Sequence, residues 1–218
     1  MHPQQESYWG HVNCIGPRAC YDEGKRISET LCYEYHKLGV SVRIARIFNT
    51  FGPRMDPDDG RVVSNFIKQA LQGKPLTIYG DGAQTRSFQY VSDLVQGLVA
   101  LMNCDAIDAD KNDVLPINLG NPDEYTIKQF AENIRALVNP GVPIVKLPAT
   151  QDDPKQRKPD ITRAGKVLRW RPKTTVDQGL AKAVLYFKHE LGLATAADPA
   201  PPAIWMPEIV DTLDASYL

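Results

Sequence analysis

Residues 21–37, "YDEGKRISETLCYEYHK", run almost directly into residues 40–48, "VSVRIARIF", and this junction constrains the fold more than any other stretch. In the first run Ile27, Leu31 and Tyr35 recur at helical spacing between Gly16-Pro17 and Gly39, which predicts a helix. In the second, β-branched residues alternate with other side chains, which predicts a strand; it ends at "NTFGPR" (49–54), where Gly52-Pro53 marks a loop. A helix delivered straight into a strand is the repeating step of an α/β fold.

The rest of the chain keeps the alternation. Helices are predicted over 64–73, 94–103, 126–138, 161–170 and 175–191, and strands over 75–82, 87–91, 115–120 and 143–148. Ser92 or Asp93 is the expected cap of the third helix and Thr126 of the fourth. Residues 104–114 read as a polar loop, and "ATAADPAPPA" as the start of a mobile tail, since too few apolar side chains stand between its prolines to pack. The expected fold is α/β with a largely parallel sheet.

Composition excludes several classes. The 218 residues include 25 basic and 26 acidic ones, for a formal net charge of −1, so no basic field attracts nucleic acid or an anionic membrane. Any anionic ligand must be met by local arginines. The cysteines and histidines lack metal-ligand spacing, and the Asp152-Asp153 pair reads as a solvated loop rather than an acid/base dyad. No apolar run approaches the roughly 20 residues of a membrane span. The chain as given therefore reads as cytoplasmic, with a Golgi membrane location following if an upstream anchor exists.

Tyr21 and Lys25 stand four apart on the first helix and so share a face, the spacing of a proton-transfer pair. Tyr33 and Lys37 repeat the pattern twelve residues later, about 120° round the helix, so both pairs cannot serve one site. Spacing alone does not choose between them.

The surrounding blocks do. "YWGHVN", "GPRACYDEGKR", "ARIFNTFGPRM", "GRVVSNFI", "QTRSFQYVSDLV" and "QRKPDI", spread over about residues 5 to 192, resemble the extended short-chain dehydrogenase/reductase family and, within it, the UDP-glucuronate decarboxylases. The resemblance picks Tyr21 and Lys25. It implies a Rossmann-like parallel sheet with a smaller C-terminal substrate-binding lobe. Residues 1–50 are then what remains of the cofactor domain, 51–192 the nucleotide-sugar region with 92–120 returning to the sheet, and 193–218 a flexible tail. It also implies NAD as cofactor, a UDP-sugar as substrate, a homodimer, and no nucleic acid or metal.

The implied reaction oxidises the sugar 4-hydroxyl, releases carbon dioxide from the resulting β-keto acid and reduces the ketone again. Bringing a tyrosine from a pKa near 10 to about 7 requires roughly 4 kcal/mol of preferential phenolate stabilisation, which a neighbouring lysine and the nicotinamide ring supply. Tyr21 is thus the expected base and later acid, and Lys25 its electrostatic partner, which also reaches the nicotinamide ribose. By the same resemblance Arg157, in "RKPDI", meets the sugar carboxylate and aids proton delivery, and Arg86, in "QTRSF", binds the diphosphate with its fork of donors. Asn49 falls to the sugar nucleotide, and Thr50 and Arg61 to the cofactor. "VVSNF", with Val62, Ser64 and Phe66, and the segment of Tyr79, Gly80 and Gln84 hold the uridine, through backbone groups and the Tyr79 side chain. Trp170 to Pro172 resembles a structural turn of the family.

Two departures stand out. A dinucleotide site opens with a strand, a glycine-rich turn and a helix, because glycine lets the backbone approach the pyrophosphate. No such segment occurs in these 218 residues, whose closest glycine pair is Gly80 and Gly82. The chain therefore resembles the carboxy-terminal part of the family, with the sheet incomplete at its N-terminal half. On its own it is expected to bind NAD poorly, to have little activity, and to expose sheet edge and apolar surface. Cys14, where the family carries proline, is a minor change ahead of the catalytic helix.

Overall fold

In a computed structural model, residues 1–104, 114–149 and 156–200 are described. Helix α1 (Ala19–Lys37) opens the fold and leads to two short strands, β1 (Ala45–Ile47) and β2 (Thr50–Phe51). Then follow α2 (Val62–Leu71), β3 (Leu76–Tyr79), β4 (Thr85–Ser87), β5 (Gln89–Tyr90) and α3 (Val91–Met102). The chain continues through β6 (Ile117–Leu119), β7 (Glu124–Thr126), α4 (Ile127–Val138), β8 (Ile144–Leu147), α5 (Thr162–Val167) and α6 (Val176–Glu190). Strands pair two by two. β1–β6, β2–β5 and β3–β8 are parallel, and β4–β7 is antiparallel.

Two cores organise these elements. The larger is built on aromatic and branched residues: Phe66 and Ile67 of α2, Leu76 and Ile78 of β3, Phe130 and Ile134 of α4, and Leu180 and Phe187 of α6. The Phe88 and Phe130 rings stack at 4.2 Å between centroids. The smaller joins Leu101 of α3, Ile117 and Leu119 of β6, and Ala164, Leu168 and Trp170 in and after α5. Residues 161–170, assigned from sequence to the nucleotide-sugar region, thus pack with the segment 92–120. Full burial of one such Leu, Ile or Phe side chain is worth about 1.5–3 kcal/mol, so the larger core dominates stability.

Local signals explain the helix ends. Thr126 and Thr175 each accept the N–H of the glutamine three residues on, whose side chain reaches back, so both α4 and α6 begin with a capping box. The Gly52 turn carries a φ of +154°, and a Cβ there would collide with Val91. That packing excludes any larger residue.

The structure corrects four sequence expectations. The strand predicted over 40–48 is reduced to Ala45–Ile47, because its partner β6 is only three residues long and Arg43 turns back to Ser41 and Val42. The single strand expected over 87–91 splits at Phe88, with β4 pairing β7 and β5 pairing β2. Neither Ser92 nor Asp93 caps α3, whose N-cap is Tyr90 without a side-chain bond. Asp93 is instead fully buried, and its carboxylate accepts the N–H of Lys173 at 3.1 Å and of Thr174 at 3.0 Å. The fourth correction concerns the tail. Asp198 bonds Lys188 of α6 at 2.7 Å and accepts from Thr195, tying 195–198 to the helix. The loop over 104–114, except its first and last residues, lies outside the described residues, as do Asp152-Asp153 and the tail beyond 200.

Burial pushes the Asp93 carboxyl above the ordinary carboxylate range, and the two N–H groups pull it back. Asp93→Ala leaves both N–H groups unpaired, for an expected loss of about 2–3 kcal/mol, and Asp93→Asn a smaller one because the amide oxygen still accepts one bond. Urea denaturation midpoints of the two variants measure the difference.

Candidate active site

The site begins at the first turn of α1. The Arg18 carbonyl accepts the N–H of Tyr21 at 3.0 Å and of Asp22 at 3.1 Å, which starts the helix and sets Tyr21 one turn from Arg18. The Lys25 ammonium lies 5.6 Å from the centroid of the Tyr21 ring, and the second pair, Lys37 and Tyr33, is 4.6 Å apart on another face. Tyr21 is 60% exposed.

Two residues place α1 and the strand ends. Arg46 of β1 donates through Nε and Nη2 to the two oxygens of Glu29 on α1, at 2.7 and 2.8 Å, and through Nη1 to the carbonyls of Glu6 and Tyr8. Gln89 is fully buried. Its side-chain amide donates to the Thr50 hydroxyl at 3.0 Å and to the Leu119 carbonyl at 2.9 Å, and its backbone N–H donates to the Asn49 carbonyl. Thr50 in turn donates to the Phe48 carbonyl. Asn49 and Thr50 are therefore held where parallel strands end, the usual ligand edge of an α/β sheet.

Arg157 arrives from the far end of the chain. Its carbonyl accepts the Ser87 hydroxyl at 3.2 Å, and the Ser87 carbonyl accepts the Asn49 amide at 3.4 Å. Burial lowers the Arg157 guanidinium below its ordinary range, and the charges of Arg86 and Arg18 lower it further, while Tyr21 and Asp22 act in the opposite direction. Tyr21, Arg86 and Arg157 thus share one electrostatic neighbourhood, with Arg18 and Asp22 added. Several guanidinium charges acting on one another in this way are suited to a bound anion.

The expected uridine segment is arranged differently. The Ser64 hydroxyl is buried on Asp59 and the Arg61 carbonyl, and the Phe66 ring belongs to the larger core. Only their backbones can serve a ligand. Val62 opens α2, and Arg61 is exposed with its Nε 3.5 Å from Asp59. Tyr79 is half exposed at the end of β3, where Gln84 donates to its carbonyl at 3.0 Å and Gly80 turns with φ +74°. A cavity of about 570 Å³ opens between Gln5–Ser7 and Asp160, Arg163 and Lys166, apart from all of these residues.

Sequence reasoning missed Arg18, Asp22, Ser87 and Gln89. Arg18 was findable, standing one turn before Tyr21 inside "GPRACYDEGK", and Gln89 stood out as a polar residue in the apolar run "SFQYV". Ser87 carried no signal, because its role depends on where residue 157 returns.

The profile of the NAD dependent epimerase/dehydratase family matches residues 1–120, more than half of the chain. The chain belongs to that family. It is 62% identical over 192 residues to UDP-glucuronic acid decarboxylase 1 of Xenopus tropicalis, covering 88% of this chain and 44% of that protein. Against UDP-glucuronic acid decarboxylase 5 of Arabidopsis thaliana it is 55% identical over 194 residues, covering 88% and 55%. The chain thus spans about half the length of these relatives. Among solved structures, UDP-glucose 4-epimerase of Thermotoga maritima with UDP-glucose aligns with a TM-score of 0.74 at 27% identity, over 88% of this chain and 59% of that one. UDP-glucuronic acid 4-epimerase of Bacillus cereus with UDP-glucuronic acid and NAD aligns with a TM-score of 0.69 at 32% identity, over 83% and 57%. The fold is therefore the α/β, Rossmann-like fold of this NAD dependent family, with parallel strand pairs between helices.

The Gln89 amide is the joint between Thr50 and β6. Gln89→Leu keeps the volume but removes the donor to the Thr50 hydroxyl and one of the two donors to the Leu119 carbonyl, which still accepts the Phe48 N–H, for an expected loss of about 1 kcal/mol in a urea melt.

Proposed function

We propose that this chain carries the tyrosine–lysine pair and the nucleotide-sugar half of an NAD-dependent UDP-glucuronate decarboxylase, which makes UDP-xylose through a 4-keto intermediate. The observation that supports the reading is the Arg157 carbonyl joined to the hydroxyl of Ser87, the neighbour of Arg86 in sequence, with the partly buried Arg157 guanidinium lowered by burial and by the charges of Arg86 and Arg18. A third, partly buried guanidinium suits the carboxylate of a uronate, which separates this reading from an epimerase or dehydratase of neutral sugars; the choice of a decarboxylase over a uronate epimerase rests on the relatives. The decarboxylase identity of the relatives at 54–62% identity supports the same choice.

In this reading Tyr21 accepts the proton of the sugar 4-hydroxyl and later returns one to the ketone oxygen. Lys25 stabilises the phenolate and reaches the nicotinamide ribose. Arg157 holds the carboxylate at the carbon next to the one oxidised, so that carbon dioxide leaves from the β-keto acid, and Arg86 takes the diphosphate. Asn49 orients the sugar nucleotide, Thr50 and Arg61 face the cofactor, and Val62, Ser64, Phe66, Tyr79, Gly80 and Gln84 line the uridine side, Ser64 and Phe66 through backbone only. NAD supplies hydride acceptance and return. The residues present fit its nicotinamide-ribose end. The glycine turn that would cradle its pyrophosphate has no counterpart in the 218 residues.

A second reading, a UDP-binding piece without turnover of its own, is favoured by the state of α1 and β1. No residue of α1 is buried, and among the described residues β1 pairs on one side only. The half-buried Glu29, Cys32 and His36 mark the inner face of α1. Opposite them Ile27 (53% exposed), Leu31 (51%) and Tyr35 (56%) form an outward stripe. A second copy is the occupant we propose for that stripe, with Gly24 and Ser28 beside it allowing close helix approach.

Two measurements test the proposal. Arg157→Ala is expected to weaken UDP-glucuronate binding by about 10- to 100-fold in calorimetry while leaving UDP unchanged, as loss of a charge-assisted pair predicts; equal loss for both ligands refutes the carboxylate role. Leu31→Glu is expected to convert a dimer to monomer in light scattering, and an unaltered mass refutes the α1 interface.

A further inference from the structure

We propose that Ser87 is a positioning residue for carboxylate recognition: its buried hydroxyl fixes the backbone at Arg157 and so aims that guanidinium at the carboxylate of a bound uronate. The inference rests on the decarboxylase reading, in which Arg157 meets the carboxylate, and extends it to a residue that acts through Arg157 rather than on the ligand.

The segment that carries Arg157 has few means of fixing itself. In Arg157-Lys158-Pro159-Asp160 the proline offers no N–H and holds the residue before it in extended backbone. Its anchors therefore come from other elements. The Lys158 carbonyl accepts the N–H of Gln4 at 2.8 Å, and the N–H of Asp160 donates to the Gln4 carbonyl at 2.9 Å. The Asn118 amide on β6 donates to the Asp160 carbonyl at 3.0 Å. Residue 157 lies one step outside these anchors, and there the Ser87 hydroxyl donates to its carbonyl at 3.2 Å. Among the described residues that is the one hydrogen bond to the backbone of Arg157.

Its place in β4 suits Ser87 to this task. The residue is fully buried, so water does not compete for the bond. Thr85 points to the same face of the strand, but its hydroxyl is taken by Glu124 within the β4–β7 pair. The Ser87 hydroxyl instead leaves that pair and reaches the returning segment. Its carbonyl accepts the Asn49 amide at 3.4 Å, and its neighbour in the chain is Arg86. One residue thereby joins three that the reading gives to the sugar nucleotide, the diphosphate and the carboxylate.

A long side chain amplifies an error at its root. A guanidinium recognises a carboxylate through paired donors of fixed direction, so a backbone shift under Arg157 loses alignment even where the side chain still reaches. The half-buried Arg157 side chain lacks the freedom of an exposed one to compensate. Removing the Ser87 hydroxyl therefore weakens the carboxylate contact, while the Ser87 carbonyl used by Asn49 survives the change.

Calorimetry on this chain with UDP-glucuronate and UDP-xylose tests the idea, since the two ligands differ only by the carboxylate. The ratio of the two affinities is the readout, and a merely structural role would lower both affinities without moving it. Ser87→Ala is expected to lower the ratio about fivefold, the worth of one ordinary hydrogen bond, by weakening UDP-glucuronate while UDP-xylose stays unchanged. Ser87→Thr and Ser87→Val match each other in shape and differ in the hydroxyl, so crowding from the added methyl groups cancels between them. The first is expected to keep a ratio about fivefold above the second. An unchanged ratio in Ser87→Ala, or equal ratios in Ser87→Thr and Ser87→Val, overturns the inference, and the decarboxylase reading then stands as long as the unaltered chain prefers UDP-glucuronate. No preference in the unaltered chain overturns both.

Discussion

The ion pair between Arg46 and Glu29 is what the rest of the site depends on. Helix α1 carries the phenol and the ammonium group, yet it buries no side chain, so hydrophobic packing within the described chain does little to set its angle. Arg46 does so instead, with two donors on Glu29 and a third group on the carbonyls of Glu6 and Tyr8. One guanidinium thereby joins the helix, the strand and the N-terminal segment. Asn118, its register partner on β6, continues the joint by donating to the carbonyls of Gln4 and Asp160. A planar fork with fixed donor directions can orient a helix that a greasy contact would let slide.

Downstream of that joint the architecture separates stability from chemistry. The larger core gathers α2, α4 and α6 around β3 and the β4 side of the fold, and none of its fully buried residues carries a charge. The candidate functional groups lie apart from that core, on the first turn of α1, at the strand ends and on the return of residues 157–160, which meets Ser87 and Asn118. There the polar joints are Gln89, Ser87 and Asn49, each satisfying a backbone group of a neighbouring element. Such joints tolerate little change of side chain, because an unpaired buried donor or acceptor is expensive while the bond itself contributes modestly.

The legibility of the chain followed the range of the interactions involved. Thr126 as a cap depends on Gln129 three residues away, and both are visible in the string. Asp93 reads equally well as a cap, but its carboxylate is taken by the turn at Lys173 and Thr174, 80 and 81 residues further along the chain. The 40–48 run has strand composition throughout, and only the short partner β6 limits pairing to three residues. "SFQYV" reads as one strand because nothing local reveals that its two halves serve different partners.

By itself the sequence determined the alternation of helices and strands, the near-zero charge that leaves anion binding to local arginines, the family blocks, and the absence of a glycine-rich turn, since each is written in neighbouring residues or in composition. The tertiary structure alone decided that the Arg157 carbonyl meets the Ser87 hydroxyl, that Ser64 and Phe66 turn inward, and that one face of α1 is left bare. Charge and burial act through space at a few ångströms, and residues far apart in the string acquire those distances only once the sheet and helices have packed.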